Sequence, residues 1–368
     1  MELRQTAGSL IVVGLAGTEL NGLERAWLRL VQPAGIILFR RNIESHAQTR
    51  ALLDAATVFC AERGLRCVDL EGGTVDRLRN ALAPMPSAQA VAQAARRQRK
   101  PQLATQHGEL IARAVKTFGF NTTLAPVLDL GLPVSAQVMG SRTSGATAEE
   151  VVDYARPFLA ALHKAGVAGC GKHFPGLGGG TLDSHLATPA IERTFSQLWR
   201  EDLVPYRELA RELPMAMVSH ASFPLTRSQT TPASISPFWV TTVLRKRMGY
   251  RGLIFSDDLE MGGILNYMPM EEAAVEAIRA GMDLIEICHS SELILRAYEA
   301  LIREGERSRS FRNLLLARAR STQKARKRLF AARTAPQPNA TQIDALRKKI
   351  ENFAARIAKI NPPEGGRA

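Results

Sequence analysis

The chain has 368 residues, 45% of them hydrophobic and 23% charged, with a formal net charge of +13. This length suffices for one large α/β barrel or for two ordinary domains. No apolar run reaches the roughly 18 to 20 residues that span a bilayer, which excludes a transmembrane class. The cysteines (Cys60, Cys67, Cys170 and Cys288) lack metal-ligand spacing, and no signal-peptide pattern precedes them. We therefore expect reduced thiols, a cytoplasmic location and no bound metal.

The positive charge is concentrated in the C-terminal tail. Residues 303–368 hold 17 Lys and Arg against 5 Asp and Glu, whereas the first 302 residues are nearly balanced. Such a tail can bind RNA, anionic lipid or an acidic wall polymer, or it can be a solvated face that keeps the protein soluble. We favour the solvated face over a nucleic-acid partner, because no aromatic residues alternate with the charges to stack on bases.

Short apolar runs alternate with amphipathic segments, which is the pattern of a parallel sheet with helical connections. The runs predict eight strands: Ser9–Gly17, Gly35–Arg41, Arg66–Gly73, Thr122–Leu130, Val167–Phe174, Met215–Phe223, Gly252–Asp258 and Met282–His289. The segments between them predict helices that include Ser45–Arg63, Thr147–Ala165, Thr194–Leu213, Pro237–Met248 and Met270–Ala280. Eight such units favour a TIM-like (β/α)8 barrel over an open sheet.

The composition changes after Arg333. We assign residues 1–333 to the barrel and residues 334–368 to a basic extension, in which 334–340 is a linker. Thr341 with Asp344 resembles a capping box for a helix that ends near Ile360. Its apolar residues follow a spacing of three and four: Ile343, Leu346, Ile350, Phe353, Ile357 and Ile360. This seam can pack on the barrel or pair with a second copy, so a monomer and a dimer both stay open.

Functional side chains of a (β/α)8 barrel collect after the carboxyl ends of its strands. Polar residues end five of the predicted strands: Asp69 with Glu71, Asp129, Lys172 with His173, Ser219 with His220, and Asp257 with Asp258. Their convergence on one rim predicts a pocket. Because successive side chains of a strand point to opposite sides, we expect only one carboxylate of the Asp257–Asp258 pair to face that pocket.

The glycine-rich segment after the fifth strand carries an acid and an imidazole two residues apart. Asp183 can hydrogen-bond the ring of His185 and favour its protonated form, which gives a proton donor with a pKa near neutrality. The glycines of residues 176–181 fit neither a P-loop nor a dinucleotide fingerprint. We interpret them as allowing a loop to close over a substrate.

Four motifs resemble glycoside hydrolase family 3 and occur in its order. They are VDLEGGTVDRL at 68–78, KHFPG at 172–176, DSH at 183–185 and FSDDLEM at 255–261. They look like the motifs of the single-domain β-N-acetylglucosaminidases of that family, and the resemblance covers roughly residues 9 to 330.

The resemblance implies a retaining hydrolase that takes N-acetylglucosamine from muropeptides or chitooligosaccharides, with peptidoglycan recycling as the expected setting. Asp257 is then the nucleophile, and His185 with Asp183 is the general acid/base dyad. The implied substrate-binding residues are Asp69, Arg77, Arg142, Lys172 and His173. No metal or cofactor is implied.

Three positions depart from the family pattern. Leu70 and Thr74 stand where Gln and Arg are usual, and Leu177 stands where a His is common. We expect them to lie beside the substrate contacts and to alter sugar preference more than the reaction. A β-glucosidase or a glycoside phosphorylase is an alternative within the family. An inactive barrel that binds wall fragments or RNA through its basic tail is the alternative of another class.

Overall fold

The computed structural model describes residues 2–180, 188–330 and 336–362. Within these ranges, eight parallel strands close into a barrel in chain order: β1 (Ile11–Gly14), β2 (Gly35–Leu38), β3 (Leu65–Val68), β6 (Thr122–Thr123), β7 (Ala168–Phe174), β8 (Met215–Val218), β9 (Leu253–Asp258) and β10 (Leu284–Ile287). Each predicted strand overlaps one of them, which confirms the TIM-like (β/α)8 fold. The third prediction was too long, because Leu70–Gly72 (β4) and Val75–Asp76 (β5) form a separate antiparallel hairpin.

Helices cover the outside of the barrel. They are α1 (Leu3–Gly8), α2 (Gly22–Val31), α3 (His46–Thr57), α4 (Ala88–Gln98), α5 (Gln102–Thr117), α6 (Ala136–Met139), α7 (Ala148–Lys164), α8 (Phe195–Arg200), α9 (Val204–Glu208), α10 (Gly262–Leu265), α11 (Met270–Ala280), α12 (Ser291–Arg307), α13 (Arg309–Leu329) and α14 (Ala340–Ile360). Phe238–Arg247 is a π-helix. The predicted helix 194–213 is two helices, because Pro205 cannot continue the hydrogen bonds of α8. Among the described residues no helix is long and apolar enough to cross a membrane.

The barrel interior is apolar at its amino-terminal end, and this end is closed. The inward side chains of the strands form a core cluster separate from the one under the helices. Phe330, which follows α13, belongs to this inner cluster. The buried Arg326 guanidinium donates to the backbone carbonyl of Ala34 beside it. Phe330 and Arg326 thus fill the barrel interior at this end, and functional side chains of such a barrel collect at the carboxyl ends of the strands.

The C-terminal helix α14 packs on α4 and α5. Its predicted seam is buried as far as Ile357, and the Phe353 ring stacks on His107 at a centroid distance of 6.1 Å. The predicted capping box was wrong by two residues, because Asn339 and Gln342 form it instead. The carboxamide of Asn339 supplies the acceptor that caps the first turn. The domain boundary at residue 333 stays a prediction, since 331–335 lie outside the described ranges.

Candidate active site

A cavity of about 180 Å³ opens at the carboxyl ends of the barrel strands. Its lining includes six of the residues predicted from the sequence: Asp69, Arg77, Arg142, Lys172, His173 and Asp257. The remaining two, Asp183 and His185, lie outside the described residues. The structure therefore brings together residues from β7, β9 and the segments after β3 and β6, as the strand-end rule requires.

A network of charges forms one wall of the cavity. The Lys172 ammonium lies 2.6 Å from a carboxylate oxygen of Asp69 and 2.6 Å from one of Glu71. The Arg142 guanidinium donates two hydrogen bonds of 2.9 Å to the two oxygens of Glu71. Burial alone would raise the pKa of Glu71, but the charges of Arg142 and Lys172 outweigh burial and lower it to about 2. Such bidentate pairs are rigid, so the donors facing the cavity are held in place.

The His173 imidazole is held between an acid and a guanidinium. Its Nδ1 lies 2.7 Å from Asp129 Oδ2, and its Nε2 lies 3.2 Å from Arg142 Nη2. Because a guanidinium can only donate, Nε2 is the acceptor and the proton sits on Nδ1, which donates to Asp129. Asp129 also accepts from the backbone N–H of Leu177, so it fixes both the ring and the start of the following loop.

The β4–β5 hairpin places Arg77 at the cavity. The Arg77 guanidinium lies 3.7 Å from Asp69 and sits over the Phe39 ring at 5.7 Å. Gly72 has a φ of +93°, and a Cβ there would come within 2.1 Å of the Pro86 carbonyl oxygen. Only glycine fits this turn, which explains the Gly-Gly pair after Glu71.

Asp257 lies at the end of β9, partly exposed to the cavity. Burial would raise its pKa, but favourable electrostatic interactions with His173, His220 and Lys172 outweigh burial and lower the pKa below its usual value. The carboxylate is thus ionised at neutral pH and available as a nucleophile.

The expectation that only one carboxylate of the pair faces the pocket was wrong, because Asp258 lines the cavity too. The ladder with β10 pairs Leu284 with Phe255 and Glu286 with Asp258, so β9 carries one extra residue. This irregularity breaks the alternation of side chains. Burial and the negative charges of Glu260 and Asp257 raise the pKa of Asp258 to about 7, against the opposing N–H of Glu260.

His220 holds the end of β9 in place through hydrogen bonds. Its ring hydrogen-bonds the Ser234 hydroxyl at 2.7 Å and the Asp258 backbone carbonyl at 2.9 Å. Because a carbonyl only accepts, Nε2 carries a proton toward it. Its place at the end of a predicted strand was the available sequence signal, but that signal does not distinguish a residue that positions the strand from one that binds substrate.

Among the other lining residues, Glu286, Cys288 and His289 carry polar groups and were not predicted as site residues. His289 reaches Asp258 at 3.6 Å and packs on Phe39. Leu177, one of the three departures from the family pattern, also lines the cavity. The sequence before these residues is apolar or unremarkable and does not mark them as site residues. Only the closure of the barrel brings them close to Asp257.

An ionised carboxylate that faces rigid hydrogen-bond donors and acceptors can attack a polyhydroxylated substrate while its hydroxyls are held. The fold and the cavity together define a glycoside hydrolase built on a (β/α)8 barrel. Residues 2–315 match the family model described as the glycosyl hydrolase family 3 N terminal domain. The chain belongs to glycosyl hydrolase family 3.

Curated and solved relatives agree with this assignment. A protein named Beta-hexosaminidase from Idiomarina loihiensis is 36% identical over 279 residues, which cover 76% of this chain and 83% of that protein. A family 3 beta-N-acetylglucosaminidase from Paenibacillus sp. superposes with a TM-score of 0.85 at 30% identity, over 96% of this chain and 69% of that one. NagZ from Neisseria gonorrhoeae, solved with N-trifluoroacetyl-D-glucosamine, gives a TM-score of 0.76 at 27% identity. The match covers 94% of this chain and 98% of that one.

Proposed function

We propose that this protein is a retaining β-N-acetylhexosaminidase. The observation that carries the proposal is Asp257: an ionised carboxylate at the end of β9, in the same cavity as the Lys172 and Arg142 donors. The names of the relatives, Beta-hexosaminidase and beta-N-acetylglucosaminidase, support the N-acetyl sugar as substrate. So does the N-acylated glucosamine bound to the Neisseria gonorrhoeae protein.

In the proposed reaction the Asp257 carboxylate attacks the anomeric carbon, and the bond to the leaving oxygen breaks as an acid protonates that oxygen. Water then opens the glycosyl-enzyme, and the same group removes its proton. His185, oriented by Asp183, is proposed as this acid and base; both lie outside the described residues. An imidazole serves because its ordinary pKa of ~6.5 allows proton transfer in both directions near neutrality.

Each described residue of the wall has a proposed binding role. Lys172 and Arg142 donate hydrogen bonds to sugar hydroxyls, and Asp69 accepts from them. His173 and Arg77 are proposed to contact the same sugar. Because their own ion pairs hold these groups rigid, little side-chain entropy is lost when the sugar binds.

The proposed natural substrate is a wall-derived fragment that ends in N-acetylglucosamine, handled in the cytoplasm during peptidoglycan recycling. A cavity of about 180 Å³ is smaller than the ~300–1,000 Å³ typical of sites for drug-sized ligands. This size suits removal of one terminal sugar better than binding of a long chain in the cavity itself. A monomer suffices for this chemistry.

The test compares 4-nitrophenyl β-N-acetylglucosaminide with the matching β-glucoside, using wild type and Asp257→Ala. The proposal is supported if wild type releases 4-nitrophenol from the N-acetyl sugar and Asp257→Ala does not. Added azide should restore this release in the variant and form an α-glycosyl azide. Preference for the glucoside would move the activity to a β-glucosidase. Formation of sugar 1-phosphate in added phosphate would identify a phosphorylase instead.

A further inference from the structure

Glu286 is a buried acid in the floor of the cavity. It lies on β10 beside β9, directly opposite Asp258 in the ladder. Its exposed fraction is 2%, close to the 3% of Lys172, and both residues line the cavity. Because Glu286 lines the cavity, its buried side chain can meet a ligand bound there.

The Glu286 carboxyl lacks the partners that a buried charge needs. Oε1 accepts from the Cys288 thiol at 3.1 Å, while Oε2 has no hydrogen-bond partner among the described residues. Glu71, which is equally buried, is paired with Lys172 and Arg142, but no ion pair within the described ranges includes Glu286. Burial, followed by the negative charge of Asp258, raises the pKa of Glu286 well above its usual value.

An uncharged carboxyl carries an O–H donor, which the carboxylates of the site lack. A donor buried without an acceptor is disfavoured, and native structures rarely retain one without a function. The missing acceptor would arrive with the ligand. We propose that Glu286 is a substrate-binding residue that donates a hydrogen bond, as a neutral acid, to the oxygen-bearing substituent at C2 of the sugar. This inference rests on the proposed attack by Asp257.

The position of β10 indicates which part of the sugar Glu286 meets. Asp257 on the neighbouring strand β9 fixes the anomeric carbon, so β10 lies near the atoms attached to that carbon. These are the ring oxygen, C2 with its substituent, and the glycosidic oxygen, which leaves from the face opposite the attacking Asp257. The ring oxygen loses electron density as the oxocarbenium-like transition state forms, and a donor there would oppose the reaction. A hydrogen bond to the C2 substituent does not carry this penalty.

The experiment removes each partner of the proposed hydrogen bond in turn. Glu286→Leu deletes the donor, and Glu286→Gln keeps one. The substrates are 4-nitrophenyl β-N-acetylglucosaminide and the 2-deoxy-β-glucoside, which lacks the C2 substituent. We expect Glu286→Leu to lose about 10- to 100-fold in kcat/KM on the N-acetyl sugar and less than about threefold on the 2-deoxy sugar. Glu286→Gln should recover most of the loss.

Asp283 provides a matched control near the other end of the same strand. This buried carboxylate is paired with Arg245 and Arg318 outside the cavity. Asp283→Asn should lower the Tm and leave kcat/KM unchanged, because it breaks a structural ion pair. Glu286→Leu should do the reverse: kcat/KM should fall and the Tm should equal or exceed that of wild type, since an uncharged acid whose one partner is a weak thiol donor adds little stability.

Either of two results overturns the inference while the proposed function stands. One is wild-type kcat/KM for Glu286→Leu on the N-acetyl sugar. The other is an equal loss on both substrates, which would place the effect elsewhere than at C2. A wild-type enzyme that hydrolyses neither sugar would overturn the proposed function and this inference together.

Discussion

Replacing Asp258 by asparagine should make the stability of the protein less sensitive to pH. The Asp258 side chain is 14% exposed, and Oδ1 accepts from the backbone N–H of Glu260 at 3.0 Å. An asparagine oxygen can accept the same bond. The main change is therefore the loss of a titrating group whose pKa the fold raises from 3.8 to about 7.

The sign follows from the protons bound in each state. Between pH 3.8 and about 7 the folded protein holds a proton on Asp258 and the unfolded chain does not, so the free energy of unfolding falls as the pH rises. Each pKa unit corresponds to ~1.4 kcal/mol. Three units set an upper bound of about 4 kcal/mol, and we expect about 2–4 kcal/mol because the group retains some solvent.

Urea denaturation at pH 4, 5, 6, 7 and 8 measures this effect. The free energy of unfolding of Asp258→Asn, relative to wild type, should rise by about 2–4 kcal/mol across the series and level off above pH 7. Asp153→Asn on the exposed face of α7 is the control and should give a flat difference. A flat difference for Asp258→Asn as well would refute the account of its burial.

Three other substitutions test the wall, the hairpin and the appended helix. Lys172→Met should abolish measurable turnover and lower the free energy of unfolding by about 3–5 kcal/mol, because it removes the cation that Asp69 and Glu71 share and leaves these adjacent carboxylates with only Arg77 and Arg142; a stable, active variant in urea and kinetic assays would contradict this. Gly72→Ala should cost ~1–3 kcal/mol and raise KM, since its new Cβ meets the Pro86 carbonyl and displaces the hairpin; an unchanged Tm and KM would count against the turn. Phe353→Ala should cost about 3 kcal/mol with kcat/KM unchanged, and a loss of activity without a fall in Tm would link α14 to catalysis.

The barrel and much of its rim were predictable from the sequence. Eight short apolar runs, separated by helical segments, located the eight strands. A strand of a parallel barrel is buried on both faces and therefore requires a continuous run of apolar side chains. The rule that function gathers at strand ends then pointed to Asp69, Lys172 and Asp257 before any contact was known. The seam of α14 was predictable for the same reason, since a helical period of apolar residues requires a partner surface.

Other properties depended on the tertiary structure. Alternation predicted that one acid of the Asp257–Asp258 pair turns away, and a register shift against β10 brings both to the cavity. Glu71 and Glu286 are the same residue type and equally buried, yet one is paired with Lys172 and the other has no cation among the described residues. A residue's charge state depends on the groups that folding brings within a few ångströms of it, and these come from distant parts of the chain. The sequence by itself therefore determined where the acids lie along the strands, and only the closed barrel decided which of them are ionised.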